Sequence, residues 1–180
     1  MFKKLATAVC AAALMLGLTQ APANAAGSET RYAMIDGWDI QIAETGYCFM
    51  IKHWDRGTGI MLSYYPDQKA FSLIIGNDNW PIQPDASYPI RMVMDGYDKW
   101  EGTGTGFNRG HPGIRLFPMK YEFVIAMMQH YRVDFYGTRG HITGMQLNGS
   151  YNSVLSTIEC ANSLRGNPTP RRQQPRDFSA

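Results

Sequence analysis

The chain has 180 residues, of which 44% are hydrophobic and 12% aromatic, and its 17 lysines and arginines nearly balance its 15 aspartates and glutamates. That length suits one domain with a proper core, and the apolar content excludes an intrinsically disordered protein. Residues 26–164 hold 11 basic and 14 acidic residues, whereas residues 165–180 hold four arginines and one aspartate. The central part is therefore acidic, which excludes a basic protein built for nucleic acid.

Residues 1–25 have the three parts of a secretory signal peptide. Lys3 and Lys4 form a charged start, residues 5–18 are apolar, and Ala23-Asn24-Ala25 supplies a small-x-small cleavage pattern. The apolar stretch is shorter than the roughly 20 residues of a membrane-spanning helix, although an uncleaved anchor is the alternative. We expect a mature chain that begins near residue 26, has no transmembrane segment and is periplasmic or secreted.

The cysteines point to one disulfide bond. Cys10 lies within the predicted leader, which leaves Cys48 and Cys160 in the mature chain. Two cysteines in an oxidising compartment predict a bond between them, while two separate buried thiols are the alternative. No neighbouring pattern would activate either thiol for catalysis. The predicted role of the pair is structural.

Alternating apolar residues and turn signals predict about eight short strands. Trp38, Ile40 and Ile42 share one side of the first strand, and Asp95-Gly96 is a hairpin signal between two later strands. Runs of strands followed by helices indicate an α+β fold, here a single domain built mainly on an antiparallel sheet. The predicted strands span residues 37–43, 47–54, 60–65, 70–75, 88–94, 97–101, 131–136 and 141–147.

Two helices and two irregular segments complete the prediction. Residues 119–130 favour a helix, with a buried strand as the alternative, and residues 150–164 are predicted as an amphipathic helix with Ser150 as its N-cap. This last helix is expected to cover one face of the sheet. Residues 102–113 contain five glycines and one proline and are predicted to form a loop. The domain is thus expected to span residues 26–164, followed by a disordered Arg/Pro-rich tail at 165–180.

Known catalytic motifs are absent from the sequence. It contains neither G-x-S-x-G nor H-E-x-x-H, and no Cys or His pair has the spacing of a structural zinc site. His130, Asp134 and His141 would converge if the last two strands pair, which would create an acid–base or metal site. Isolated surface residues are the simpler interpretation. We therefore predict no catalytic residue, metal or cofactor.

Aromatic side chains next to amides suggest a binding surface. Tyr64, Tyr65 and Trp80 lie at strand ends or in loops, and Asn79 is close to the tryptophan in sequence. Flat rings beside hydrogen-bonding groups are typical of sites for a glycan or a protein partner. The alternative is that these rings only cap the ends of the sheet.

The order of several short segments resembles a known family. Trp38, the run Tyr47-Cys48-Phe49-Met50 and Trp80 are followed by Met94-Asp95-Gly96, and the run from Met145 to Ser150 leads into the last helix. This order is similar to that of small secreted proteins of the invasion-associated locus B type and related uncharacterised periplasmic families. The resemblance implies a non-enzymatic envelope or secreted protein with no catalytic residue to transfer. Members often have further cysteines in mid-chain, which this sequence lacks.

Three hypotheses about function follow. The first is a secreted or periplasmic non-enzymatic protein that binds a protein or glycan partner at the cell envelope. The second is an inhibitor or immunity protein against an envelope hydrolase, for which residues 102–113 would provide a protruding loop. The third is an enzyme that uses His130, Asp134 and His141.

Overall fold

The computed structural model describes residues 29–54, 57–108 and 111–166. They form one antiparallel sheet and two helices. The strands are β1 (Thr30–Ile35), β2 (Trp38–Ile42), β3 (Cys48–Trp54), β4 (Thr58–Tyr65), β5 (Ala70–Asn77), β6 (Ser87–Met94), β7 (Asp98–Asn108), β8 (Pro112–Met119), β9 (Arg132–Gly137) and β10 (Gly140–Gln146). The helices are α1 (Tyr121–Gln129) and α2 (Ser150–Ser163).

The α+β class is confirmed, but the sheet is larger than predicted. Ten strands form it instead of about eight, because β1 and β8 were not expected. The predicted loop at residues 102–113 is wrong. β7 continues to Asn108 and β8 begins at Pro112, so most of this segment is paired strand. Its glycines reflect close packing inside the sheet, which is a known use of glycine in strands.

The strand order is β1-β2-β3-β4-β5-β8-β7-β6-β9-β10. Seven of these nine pairings join strands that are consecutive in the chain, and the exceptions are β5 with β8 and β6 with β9. Two local meanders are therefore joined edge to edge, with the β9–β10 hairpin added on the far side of β6.

The sheet curls, so that the chain just after its last strand reaches β2 near the opposite end. The indole Nε1 of Trp38 in β2 donates a hydrogen bond of 2.9 Å to the carbonyl oxygen of Asn148, which follows β10. In a flat sheet, strands at these two positions would be about 38 Å apart at ~4.8 Å per strand. The curl gives a concave face, and a single core cluster includes residues from both ends of the sheet and from both helices.

Glycines on β7 make close packing possible at the middle of the curl. Gly102 and Gly104 lie opposite Ile90 and Tyr88 of β6 on the concave side. A Cβ at Gly104 would overlap the Cγ2 of Ile114 and lie 3.1 Å from the carbonyl oxygen of Arg115. The absence of a side chain here lets β8 approach β7.

Both predicted helices are present, and both are packed on the concave side. The buried residues of α1 include Phe123 and Met127, and α2 lies against β1 to β4. The predicted N-cap of α2 is wrong by one residue. Gly149 is the cap, with a φ of 80°, while the hydroxyl of Ser150 donates 2.7 Å to the carbonyl oxygen of Met127. The first residue of α2 therefore links the two helices.

A disulfide joins Cys48 of β3 to Cys160 of α2, as predicted. Their Cα atoms are 6.0 Å apart, and 112 positions separate them in the chain. The bond holds the last helix over the first half of the sheet. Arg165, just after α2, forms an ion pair with Asp67 in the β4–β5 turn.

The predicted leader and most of the predicted tail lie outside the described residues. Neither described helix has the length and apolarity needed to cross a bilayer.

Replacing both cysteines, Cys48→Ser with Cys160→Ser, is expected to destabilise the fold by about 2–5 kcal/mol, because the unfolded chain regains the freedom of a long loop. Urea unfolding with and without a reductant measures this loss. Reduced wild-type protein should match the double variant. Equal urea midpoints for the oxidised wild type and the variant would contradict the prediction.

Gly104→Ala is expected to cost about 1–3 kcal/mol, because its new methyl group would overlap Ile114. Gly102→Ala on the same face is the matched control, since its Cβ would meet only the flexible end of Leu116, at 3.2 Å. Thermal unfolding of both variants compares them. The explanation fails if the two alanines cost the same.

Candidate functional site

A gap opens in the sheet beyond the end of β9. β9 pairs with β6 from Arg91 to Met94 and ends at Gly137, whereas β6 begins at Ser87. The first residues of β6 therefore have no β9 partner. We call the space between residues 88–91 of β6 and residues 137–142 of the β9–β10 hairpin the cleft.

The cleft has two chambers that share a rim. The inner chamber has a volume of about 320 Å³ and the outer one about 580 Å³, and both are lined by Pro89, Ile90, Gly137 and Thr138. The remaining residues of the inner chamber are Trp80, Pro81, Ile82, Tyr88, Ile114, Arg139, Gly140, His141 and Ile142. Its wall is largely apolar, and its volume lies at the lower end of the range for small-molecule sites.

Backbone hydrogen bonds hold the segment that carries Trp80. The Trp80 amide donates to the carbonyl oxygen of Asn77 at 3.0 Å, and the Gln83 amide donates to the hydroxyl of Tyr88 at 2.9 Å. Further along, the Gly106 amide donates to the carbonyl oxygen of Ala86 at 2.8 Å. This wall of the cleft is therefore built before any ligand arrives, which lowers the entropic cost of binding.

On the opposite wall, His141 belongs to a hydrogen-bonded trio with Asp134 and Arg132. Its Nε2 is hydrogen-bonded to Oδ1 of Asp134 at 3.0 Å, and the guanidinium of Arg132 donates to both oxygens of the same carboxylate, at 2.7 and 2.8 Å. The hydrogen bonds from Arg132, helped by His141, hold the pKa of Asp134 below its ordinary value despite partial burial. Gly144 faces this trio and leaves it room, since a Cβ there would overlap it.

His130 belongs to a different cluster. Its side chain is only 13% exposed, and its Nδ1 is 2.9 Å from Asp95 Oδ2 while its Nε2 is 3.4 Å from Asp98 Oδ2. The structure thus brings Asp134 and His141 together but engages His130 with carboxylates of the β6–β7 turn and of β7. Within the described ranges, no group of three or more His, Cys, Asp and Glu side chains is placed to hold a metal ion.

Asp95 anchors the turn to the start of β9. Its carboxylate accepts hydrogen bonds from the amides of Tyr131 at 3.2 Å and Arg132 at 2.9 Å, in addition to its contact with His130. Burial alone would raise the pKa of Asp95, but these hydrogen bonds outweigh it and leave the pKa below its ordinary value. Asp95 has a φ of 46°, as the first residue of an Asp-Gly hairpin turn.

The four residues of the predicted aromatic surface lie at two separate places. Tyr64 and Tyr65 end β4, and the ring of Tyr65 lies 5.0 Å from that of Tyr47. Asn79 and Trp80 follow the other end of the β4–β5 hairpin, roughly 20 Å away at ~3.3 Å per residue. Of the four, Trp80 lines the inner chamber. Whether either group of rings binds a partner stays a prediction.

Sequence analysis missed the residues that meet Trp80 across the cleft. Arg139 and Ile142 belong to the β9–β10 hairpin. The register of β9 on β6 determines which residues of the hairpin face Trp80. The available signal was Pro89 inside a predicted strand, because a proline marks an edge or a break in a sheet.

A third cavity, of about 340 Å³, lies on the other part of the sheet. Its lining includes His53, Asp78 and His111, and Nδ1 of His111 is 2.7 Å from Oδ1 of Asp78. Asp55, two residues from His53 in the sequence, lies outside the described residues.

The fold is similar to a known one. Comparison with solved structures finds the crystal structure of invasion-associated protein B from Bartonella henselae, with a TM-score of 0.53 and 16% sequence identity. The match covers 70% of this chain and 94% of that one. The resemblance predicted from the order of segments is therefore confirmed as a similarity of fold. No family model and no curated protein sequence matches the chain.

Asp95→Asn is expected to lower the free energy of unfolding by about 1 kcal/mol at neutral pH, because the charge that strengthens three hydrogen bonds is lost. The folded pKa is depressed, so this contribution is fully present above about pH 5 and disappears as the pH falls through the folded pKa. Urea unfolding from pH 2.5 to 7 measures the difference.

The control is Asp36→Asn, because Asp36 also precedes a glycine in a hairpin turn and has a positive φ of 49°. Asparagine tolerates this backbone conformation at both positions. A difference between wild type and Asp95→Asn that stays constant down to pH 2.5 would refute the role assigned to the carboxylate.

Proposed function

We propose that this chain is a secreted or periplasmic non-enzymatic protein that binds a partner at the cell envelope, and that the cleft is its binding site. The observation that carries the proposal is the inner chamber, an apolar cavity of about 320 Å³ with Trp80 on a wall fixed by backbone hydrogen bonds. Concave, largely apolar and pre-formed sites of this kind are typical of ligand binding.

Two features support the proposed location. The Cys48–Cys160 disulfide is of a kind that persists in oxidising compartments and is rare in the bacterial cytosol. The first 25 residues have the pattern of a secretory leader.

The positions of the candidate catalytic residues favour binding over catalysis. The alternative enzyme would use His130, Asp134 and His141, but His130 is engaged with Asp95. Both oxygens of Asp134 are occupied by Arg132 and His141, which suits a structural ion pair. The inhibitor alternative has lost its expected protruding loop, because most of residues 102–113 form β7 and β8.

The acidic balance of residues 26–164 favours a protein, glycan or small-molecule partner over nucleic acid.

Trp80→Ala is expected to reduce retention of an envelope partner about tenfold, because a buried aromatic contact at a binding site is often worth more than 1 kcal/mol. The measurement uses immobilised mature protein and periplasmic extract, with bound material quantified by mass spectrometry. Tyr65→Ala is the matched control, since it removes an aromatic ring at the far end of the β4–β5 hairpin. Equal losses in the two variants, or specific retention that survives Trp80→Ala, would exclude the cleft as the site.

A further inference from the structure

We propose that the inner chamber of the cleft binds an anionic amphiphile: an unbranched hydrocarbon chain enters the cavity, and a carboxylate or similar anionic head group pairs with Arg139. The inference rests on the proposed function in using the same cleft, and it adds the chemical class of the ligand. Its support comes from the wall, the volume and the distribution of charge.

The wall of the chamber has the chemistry of a hydrocarbon site. Its deeper surface is formed by the side chains of Ile90 and Ile114 from the concave face of the sheet, which are each 3% exposed. Trp80, Ile82 and Ile142 are partly buried and pack against the main core while lining the chamber. Apolar ligand surface moved from water onto this wall therefore contributes favourably to binding.

The volume limits the length of the chain. The chamber of about 320 Å³ lies at the lower end of the range for small-molecule sites, so it suits a single short chain. We take a chain of about ten carbon atoms as the test ligand. A two-chain lipid would have to leave one chain outside.

The cationic residue that lines the chamber is Arg139, in the β9–β10 turn, and His141 of β10 lies on the same wall. Across residues 29–54, 57–108 and 111–166, the ion pairs do not include Arg139, so its guanidinium is available for an anion. His141 uses Nε2 for Asp134, so Arg139 is the residue of this wall that can donate to an anionic group. Carboxylates are absent from the lining of the inner chamber.

The neighbouring outer chamber is less suited to the head group. It contains Arg91, but the guanidinium lies over the ring of Tyr136 at 4.8 Å, and Glu101 lines the same space. A negative head group is therefore favoured at Arg139, where no carboxylate opposes it.

Isothermal titration of the mature protein with n-decanoate and n-decanol, and methyl NMR on the isoleucines, test the proposal. We expect decanoate to bind with perturbation of the Ile82, Ile114 and Ile142 methyl signals, and decanol to bind at least about fivefold more weakly, the ratio that one partly exposed charge pair supports. Phenylpropionate should bind more weakly than decanoate, because it does not fill the length of the chamber. A parallel titration with decyl phosphate compares the affinity for a phosphate head group with the affinity for the carboxylate of decanoate.

Arg139→Gln should weaken decanoate about fivefold and leave decanol unchanged, whereas Arg115→Gln, an exposed arginine on β8, should change neither. Ile142→Trp fills the chamber and should abolish binding of both ligands. These side chains are exposed or only partly buried, so the variants are expected to fold, and circular dichroism checks this.

Equal affinities for decanoate and decanol, unchanged in Arg139→Gln, would overturn the anionic class while leaving the cleft as a binding site. Binding that survives Ile142→Trp, or methyl shifts confined to the third cavity, would overturn the assignment to the inner chamber. Absence of decanoate binding up to its solubility limit would overturn the amphiphile proposal, and retention of an envelope partner that depends on Trp80 would still support the proposed function.

Discussion

The width of the sheet is the constraint on which the rest of the structure depends. Ten strands at ~4.8 Å would span about 43 Å if flat, and two helices, each ~10 Å across, cannot cover that surface. The apolar concave face is buried because the sheet curls around the helices until Trp38 reaches the carbonyl of Asn148. Glycines on β7 allow the tight packing, and the disulfide keeps α2 in position. The buried core, the positions of the helices and the curl of the sheet therefore depend on one another.

The cleft is the place where the sheet is not fully paired. β6 extends beyond the end of β9, which stops at Gly137 just after its last pair with Arg91. Concave-face residues that would otherwise belong to a sealed core, such as Ile90, then line a cavity reached from outside. A binding site of this kind needs no extra domain or long loop, since a hairpin shorter than the neighbouring strand is enough to create it. It also places apolar wall and charged rim next to each other.

Much of the fold follows from local sequence patterns. Alternation and turn residues predicted eight of the ten strands, and Asp95-Gly96 marked a real hairpin. β1 was missed because residues 30–35 follow a polar stretch without a clear boundary, and β8 because five glycines resembled a loop. Those glycines make room for neighbouring side chains such as Ile114, and the sequence alone does not show which residues will be neighbours.

The site was less predictable from the sequence. Trp80 was predicted as part of a binding surface, but its position opposite Arg139 depends on where the β9–β10 hairpin ends along β6. Asp134 and His141 lie on paired strands, so their contact was predictable. His130 instead contacts Asp95, which is distant in sequence, and the sequence does not reveal that contact.

The order of the elements along the chain has a consequence for how the protein is made. The strands β1 to β5 can pair in sequence as they appear, but the helix that covers their apolar face is the last element of the domain. Until α2 is complete, Trp38, Met50 and Leu62 have no helix over them, and the partner of Cys48 does not yet exist. A chain that has been synthesised only as far as β5 therefore exposes an apolar sheet face and one unpaired thiol, and partly folded species of this kind aggregate readily. Completion of α2 both covers this surface and supplies the cysteine that pairs with Cys48.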